Sequence, residues 1–428
     1  MSSAIERVPR AELERLQLDR LQAVVARVFD RVPFYRQRLT EAGLAAGDIR
    51  SLVDLRRLPF TTKDDFRETY PFGLVATPMD EVVRLHASSG TTGKPIVVAY
   101  TQGDLDTWSG LMARTLGAGG VGRGDVVHNA YGYGLFTGGL GFHYGAERIG
   151  ATVIPMSGGF TERQLTALRD FGSTVLCCTP TYGLHLAEAL VASGIRPVDL
   201  KLRVGFFGAE PWTEGMREVI EARLNLMAFN VYGLCEVMGP GVSVECAERR
   251  GMHVHEDHFL AEIVAPTTLE SVSPGVTGEL VLTTLTKEAL PVLRYRTRDL
   301  TALDPEPCAC GRTFVRIGRI TGRTDDMLII RGVNLFPSQI EQVLMQVPQV
   351  EPHYQLVVRR ETALDTLEIR VEAHAGVAVV GDAAMQALAG EVRRRIRDRI
   401  GITAEVTVLP PGSIERSEGK AKRIHDLR

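Results

Sequence analysis

The greatest density of reactive side chains lies in "SSGTTGKP", residues 88–95. Ser88, Ser89, Thr91 and Thr92 bring hydroxyls, Gly90 and Gly93 bring freedom of backbone, and Lys94 brings a cation. Glycine can take φ > 0 and let main-chain N–H groups close around an anion, with hydroxyls adding further donors to phosphate oxygens. A Walker-type phosphate loop is excluded. Its first glycine would fall on Ser88 and its hydroxyl position on Pro95. The flanks "VVRLHA" and "PIVVAYT" read as strands, whereas that motif opens a helix at its lysine. A hairpin loop remains, and by itself it is either a phosphate cradle or a polar turn.

Four other stretches carry chemistry. "VYGLCEVMGPG" (231–241) puts Glu236 beside a Tyr-Gly turn, and "RYRTRDL" (294–300) puts Asp299 after a basic run. "GRTDDMLIIRG" (322–332) and "ERSEGKAKR" (415–423) concentrate charge near the C-terminal third. Singly, each has a plain structural reading: a charge at a helix start, a turn aspartate, a solvated tail. "ECAERRGMH" and "CACGRT" offer Cys246, His253, Cys308 and Cys310. A Cys-x-Cys-Gly turn with a second Cys/His pair suits a four-ligand structural zinc site, with His255 and His258 as alternatives to His253. Small buried thiols are the competing reading.

The elements that must position these residues follow from periodicity. Leu13, Leu16, Leu21, Val24, Val25 and Val28 predict a helix over residues 10–30. "EVVRL", "DVVHNAY", "ATVIPM", "STVLCC", "RVGFFG" and "LMAFNVY" read as strands, with "TERQLTALRDF" and "TYGLHLAEALVAS" as helices between them. That alternation predicts an α/β fold built on a largely parallel sheet. "GELVLTTL" and "LPVLRYRT" are close enough to pair antiparallel. After residue 323 the texture changes. A helix over 338–347, strands "YQLVVRR" and "TLEIRVEA", the helix "AMQALAGEVRRRIRDRI" and an extended "AEVTVLP" describe a small α+β unit. The expected division is residues 1–323, a large domain with mixed and parallel sheets, and 324–428, a small mobile domain.

Composition sets limits. With 428 residues, 44% apolar, the chain can bury more than one core. A net charge of −3 argues against nucleic acid as the main partner. No apolar leader and no long apolar run are visible, so a cytoplasmic protein off the membrane is expected. Cys177, Cys178, Cys235, Cys246, Cys308 and Cys310 then read as reduced thiols or metal ligands.

Taken in order, these stretches resemble the acyl-adenylate-forming enzymes, and among them the phenylacetate–CoA ligases. "VPFYRQRL", "LPFTTKDDFRETYPFG", "HASSGTTGKPIVVAYT", "YGYGLFTGGLGFHYGAERIGATVIPMSGG", "FFGAEPW", "MGPGVSVEC", "HVHEDHF" and "RSEGKAKR" carry the resemblance across nearly the whole chain. It implies an AMP-forming aryl acid–CoA ligase that uses ATP, Mg²⁺ and CoA. By resemblance, Ser88, Ser89, Gly90, Thr91, Thr92, Gly93 and Lys94 wrap the phosphates of ATP. Tyr232 stacks on adenine, Ala209, Glu210 and Pro211 line that slot, and Asn230 faces the adenine amino edge. Asp299 accepts the ribose hydroxyls, with Arg323 in support. Glu236 holds Mg²⁺, Asp325 is the hinge and Lys420 is the mobile catalytic lysine. Tyr131, Phe136, Ala209 and Pro240 face the acid, and aromatic walls among glycines suit a flat ring. One departure is Cys235, where the family has Ser or Thr; a thiol is the weaker donor. The resemblance leaves open a carrier-protein thiol in place of CoA, adenylyl transfer to a redox cofactor, and a homodimer. A non-catalytic nucleotide sensor is disfavoured, because it has no use for Lys420.

Overall fold

The computed structural model describes residues 4–88, 95–330, 333–360 and 365–428. Two compact units emerge from the contacts. The first comprises residues 1–178, 200–209 and 227–319, and the second comprises 179–199, 210–226 and 320–428.

In the first unit, nine strands of the described residues form one sheet. Thr152–Ile154, Val126–Asn129, Val175–Cys178, Val204–Gly208 and Met227–Leu234 run parallel in that spatial order. Gly239–Glu245, Met252–Val254, Arg316–Ile317 and Leu303–Asp304 continue it antiparallel. The parallel strands are near-continuous apolar runs, as strands covered on both faces must be: Val175–Cys178 and Val204–Gly208 are buried at every position. Helices Gln102–Ala118, Gly138–Ile149 and Thr161–Asp170 connect or cover them. The first of these starts at a capping box, Thr101 with Asp104, which satisfies orphan N–H groups at the helix entry.

The N-terminal helix, Arg10–Arg31, buries Leu13, Leu21, Val24, Val25 and Val28, five of the positions whose spacing predicts it. Pro33 starts the next helix, Pro33–Glu41, at its first turn, where its missing N–H costs nothing. Arg84–Ala87 and Val97–Tyr100 pair antiparallel around residues 88–96, so the hydroxyl-rich stretch does link two strands. Gly278–Thr284 and Tyr295–Thr301 pair antiparallel, but the second strand opens only at Tyr295. Pro291 cannot donate to a ladder, and Arg294 holds φ 44°, which together keep "LPVLR" out of the sheet.

In the second unit, Val350–Arg360 and Asp365–Ala373 form an antiparallel pair flanked by Ile424–Asp426 and Glu405–Leu409. Pro337–Leu344 and Asp382–Ile400 cover it, sharing a core of Ile340, Leu344, Leu356, Ile369, Val392 and Ile396. "RRRIRDR" is the solvated face of the second helix, with Ile396 turned inward. Helices Pro180–Ala192 and Glu214–Leu224 belong to this unit too.

Candidate active site

In the first unit, the end of Met227–Leu234 carries Tyr232, and Tyr295–Thr301 carries Asp299. The two are far apart in sequence, yet the Tyr232 hydroxyl donates to Asp299 Oδ2 at 2.6 Å. Asp299 is only 7% exposed, and its N–H donates to Thr297 Oγ1 at 3.0 Å. A short bond to an ionised acceptor is the stronger kind, so each group fixes the other's orientation. The neighbouring Arg298 holds φ 69°. A left-handed non-glycine residue costs roughly 1–3 kcal/mol, and such outliers cluster at functional sites. Asn230 is buried, and its N–H donates to Glu245 at 2.7 Å.

Glu236 lies in the turn between Met227–Leu234 and Gly239–Glu245, buried to 9% exposure. Beside it, the Cys235 thiol lies 3.1 Å from the Thr137 hydroxyl, a pairing the sequence reading missed. The two residues are 98 positions apart, and only the antiparallel turn brings them together. Tyr131 stacks on Phe142, with centroids 5.0 Å apart and planes 7° from parallel. Gly138 explains how the rings crowd there: a Cβ would stand 2.6 Å from the Phe136 ring and 3.3 Å from that of Tyr131. The Pro240 carbonyl accepts from Trp108 Nε1–H at 2.9 Å. Ala209, directly after the Val204–Gly208 strand, holds φ 70°.

A buried cation in the same unit also escaped the sequence reading. Lys287 is 3% exposed, with Nζ 3.1 Å from the centroid of the Tyr100 ring and 3.9 Å from Met238 Sδ. Burial lowers its pKa to about 7, opposed by the charges of Asp104 and Cys235.

Ser88 closes the described part of the hydroxyl-rich loop, donating its N–H to the Ile96 carbonyl at 2.9 Å and accepting from the Ile96 N–H at 3.2 Å through Oγ. Ser89, Gly90, Thr91, Thr92, Gly93 and Lys94 lie outside the described residues.

In the second unit, Arg323 grips Asp325 with two bonds, of 2.9 and 3.0 Å. Lys420 is exposed, while the backbone around it is held. The Gly419 carbonyl accepts from Thr179 Oγ1–H at 2.9 Å, and the Ala421 N–H donates to Glu210 Oε2 at 3.0 Å. Pro211 follows, exposed.

The four candidate metal ligands do converge. Cys246, His253, Cys308 and Cys310 present ligand atoms all within 4.8 Å of one another. Pairing of Met252–Val254 with Arg316–Ile317 places His253 beside the Cys-x-Cys turn. Cys246 Sγ lies 3.7 Å from Cys308 Sγ, and Cys310 Sγ lies 3.4 Å from His253 Nε2. His253 Nδ1 faces the Phe314 carbonyl at 3.1 Å, the partner that leaves Nε2 as the ligand atom. His255 and His258 are committed elsewhere, to the Gly241 carbonyl and to Thr286 and Asp257. None of the six cysteines is in a disulfide.

Comparison with known proteins shows the family. Residues 15–285 match the family described as AMP-binding enzyme, and residues 332–428 match the AMP-binding enzyme C-terminal domain. The chain therefore belongs to the AMP-binding enzymes. It is 53% identical to the phenylacetate–coenzyme A ligase of Thermus thermophilus, covering 99% of this chain and 98% of that one. It is 51% identical to the phenylacetate–coenzyme A ligase of Escherichia coli K12, covering 99% and 97%. Within the AMP-binding enzymes it thus falls in the phenylacetate–CoA ligase family of AMP-forming acid–thiol ligases. Among solved structures, 2-hydroxyisobutyryl-CoA ligase in the postadenylation state matches with a TM-score of 0.94 at 31% identity, covering 99% of this chain and 91% of that one. The same enzyme in the thioesterification state, with its acyl-adenylate and CoA, matches with 0.73, also at 31% identity and the same coverage. Among the described residues, no helix is long and apolar enough to cross a membrane.

Proposed function

We propose that the acid this ligase activates is phenylacetate, or a monocyclic aromatic acid close to it, and that the acceptor is free CoA in the cytoplasm. A carboxylate is a poor electrophile because its leaving group would be oxide. Attack of its oxygen on the α-phosphorus of ATP gives an acyl-adenylate and releases diphosphate. The CoA sulfur then attacks the acyl carbon, and AMP leaves. The observation that best supports the nucleotide part of this reading is the Tyr232–Asp299 pair, because two long-separated segments meet to join an aromatic side chain to a buried carboxylate. In this reading Tyr232 stacks on adenine and Asp299 accepts the ribose hydroxyls, with Asn230, Ala209, Glu210 and Pro211 around the base and Arg323 near the ribose. The 88–94 loop holds the departing diphosphate. Tyr131, Phe136, Ala209 and Pro240 receive the ring.

Glu236 fits Mg²⁺, which typically takes one or two carboxylates plus substrate phosphates and neutralises charge between triphosphate and acid. Lys420 bridges the acid carboxylate and the α-phosphate while the adenylate forms, and Asp325 is the hinge about which residues 324–428 move afterwards. ATP–diphosphate exchange over a panel of aryl and alkyl acids tests the acid pocket without guessing the acceptor. Exchange with phenylacetate should exceed that with long fatty acids. A long-chain acid that wins the screen removes Tyr131 and Phe136 from the pocket.

The same proposal includes structural Zn²⁺ on Cys246, His253, Cys308 and Cys310. Tetrahedral zinc with bonds of about 2.3 Å to sulfur and 2.0 Å to nitrogen sets S···S near ~3.8 Å and S···N near ~3.5 Å. The S···S and S···N contacts, 3.7 and 3.4 Å, match that requirement. Four protein ligands leave no open position, so the role is to staple Cys246, the Met252–Val254 strand and the Cys308–Cys310 turn together. Protein never exposed to chelator should hold close to one zinc per chain. Less than about a third of an equivalent would overturn the assignment.

A further inference from the structure

Lys420 is exposed, in a segment of glycine and charge near the chain end, where segments are commonly loosely held. Yet the main chain on both sides of it is tied to the same place. The Pro180–Ala192 helix starts there, with Thr179 as its N-cap. The Thr179 oxygen accepts from the Tyr182 N–H at 3.3 Å, and its proton goes to the Gly419 carbonyl at 2.9 Å. On the other side of Lys420, Glu210 divides its carboxylate: Oε1 accepts from the Thr181 N–H at 2.8 Å and Oε2 from the Ala421 N–H at 3.0 Å. Further along, Arg423 reaches Thr181 Oγ1 at 3.3 Å and forms an ion pair with buried Glu341 at 2.5 Å. The grips fall on residues 419, 421 and 423, and Lys420 is enclosed between the first two.

Glu210 suits this task chemically. Both of its partners are N–H donors, and only a carboxylate offers two acceptor oxygens in one plane at that spacing. Its anionic charge also lies against the first turn of a helix, where negative charge is favoured. Ala209, at φ 70°, turns the chain just before it. An alanine held in the left-handed region is a strained position that the surrounding structure must sustain.

We infer that Glu210 is a positioning residue for the first half-reaction: its carboxylate holds the Lys420 segment at the Thr179–Thr181 helix start, so that the lysine is presented for acyl-adenylate formation. This rests on the role proposed above for Lys420. It assigns the Glu210 carboxylate to the catalytic segment, leaving the wall of the adenine slot to its backbone and neighbours. The same bonds must open before the small domain can turn, so the grip belongs to adenylation and is absent from thioester formation.

The test uses full-length enzyme as wild type, Glu210→Gln, Lys420→Ala and the double variant. Glutamine keeps the shape but turns an NH₂ toward one of two N–H groups. Glu210→Gln should lower kcat for ATP–diphosphate exchange about tenfold or more, with KM for ATP and thioester formation from phenylacetyl-adenylate and CoA each within about twofold of wild type. In the Lys420→Ala background the same change should cost nothing further, because Glu210 acts through the lysine. Additive losses, equal losses in both half-reactions, or a rise in KM for ATP with kcat unchanged would each overturn the inference. Thr179→Asp covers the case in which Glu210→Gln fails to fold. Aspartate caps the helix as well as threonine does but has no proton for the Gly419 carbonyl, so adenylation alone should fall. If Lys420→Ala leaves exchange intact, the lysine reading fails and this inference with it. If Lys420→Ala behaves as expected while Glu210→Gln and Thr179→Asp do not, only this inference fails.

Discussion

Asp299 and Lys420 are both charged groups assigned to the nucleotide, and they are held in opposite ways. Asp299 is buried in a strand, bonded through its side chain to Tyr232 and through its N–H to Thr297. Moving it means breaking a sheet. Lys420 is exposed on a segment gripped through its backbone neighbours, by Thr179 and Glu210. Each such bond contributes about 0.5–1.5 kcal/mol net, or about 1.5–3 kcal/mol where the acceptor is ionised. A few bonds of that size can be exchanged for others within one catalytic cycle. The contrast teaches a division of labour. With the roles proposed above, a group that must serve both half-reactions is built into the sheet, and the group needed for one is placed on a releasable segment.

Lys420→Ala breaks the contrast most severely. Losing a preorganised charge at the reacting centre typically costs about 10²–10³-fold in rate. Adenylation should fall by about that factor, while pre-made acyl-adenylate and CoA should give thioester at close to the wild-type rate. A mutant equally slow in both halves would mean that the lysine never leaves the site. Asp299→Ala is the converse. Two charge-assisted bonds to a ribose are each about 1.5–3 kcal/mol, so KM for ATP should rise more than tenfold. The ribose stays bound as the acyl-adenylate, so the second half-reaction should weaken too. A folded Asp299→Ala enzyme with unchanged ATP dependence takes the residue out of the site.

Much of this could be read from the chain alone, for a physical reason. The parallel strands are short apolar runs between helices of clear period, and such patterns depend on local sequence. The buried face of Arg10–Arg31 followed from the same logic. Glu236 stood out beside a Tyr-Gly turn, Asp299 after a basic run and Lys420 in a tail of glycine and charge. What the chain hid were encounters across long separations. Nothing near Thr137 signals that its hydroxyl meets Cys235, and nothing near Glu210 signals that its carboxylate meets Ala421. The candidate metal ligands lie between these extremes. Cys-x-Cys-Gly is a local signal and His253 was the first choice of partner, but only the pairing of Met252–Val254 with Arg316–Ile317 shows how His253 comes beside that turn.

Lys287 sharpens the comparison with the smallest effect, because it is a charge as buried as Asp299 that lies against a ring and a thioether. Burial lowers its pKa from 10.5 to about 7, with Asp104 and Cys235 pulling the other way. His86 is a further titratable group whose charge Lys287 opposes, Tyr100 lies beneath the ammonium, and Glu236 acts on Tyr100. Between those two pKa values the unfolded chain binds about one more proton than the folded one, so folding stability rises with pH across that window, by at most about 1.4 kcal/mol per unit. Below about pH 7 both states carry the proton, and the cost of the buried charge is present in full. Lys287→Met keeps the length of the side chain against Tyr100 and Met238 and deletes the charge. The variant should therefore melt above wild type at about pH 6.5, and the gap should narrow steadily toward about pH 9 as wild-type Lys287 gives up its proton. Melting curves of the two proteins at three or four pH values decide it. A gap that stays constant means that Lys287 keeps one charge state throughout.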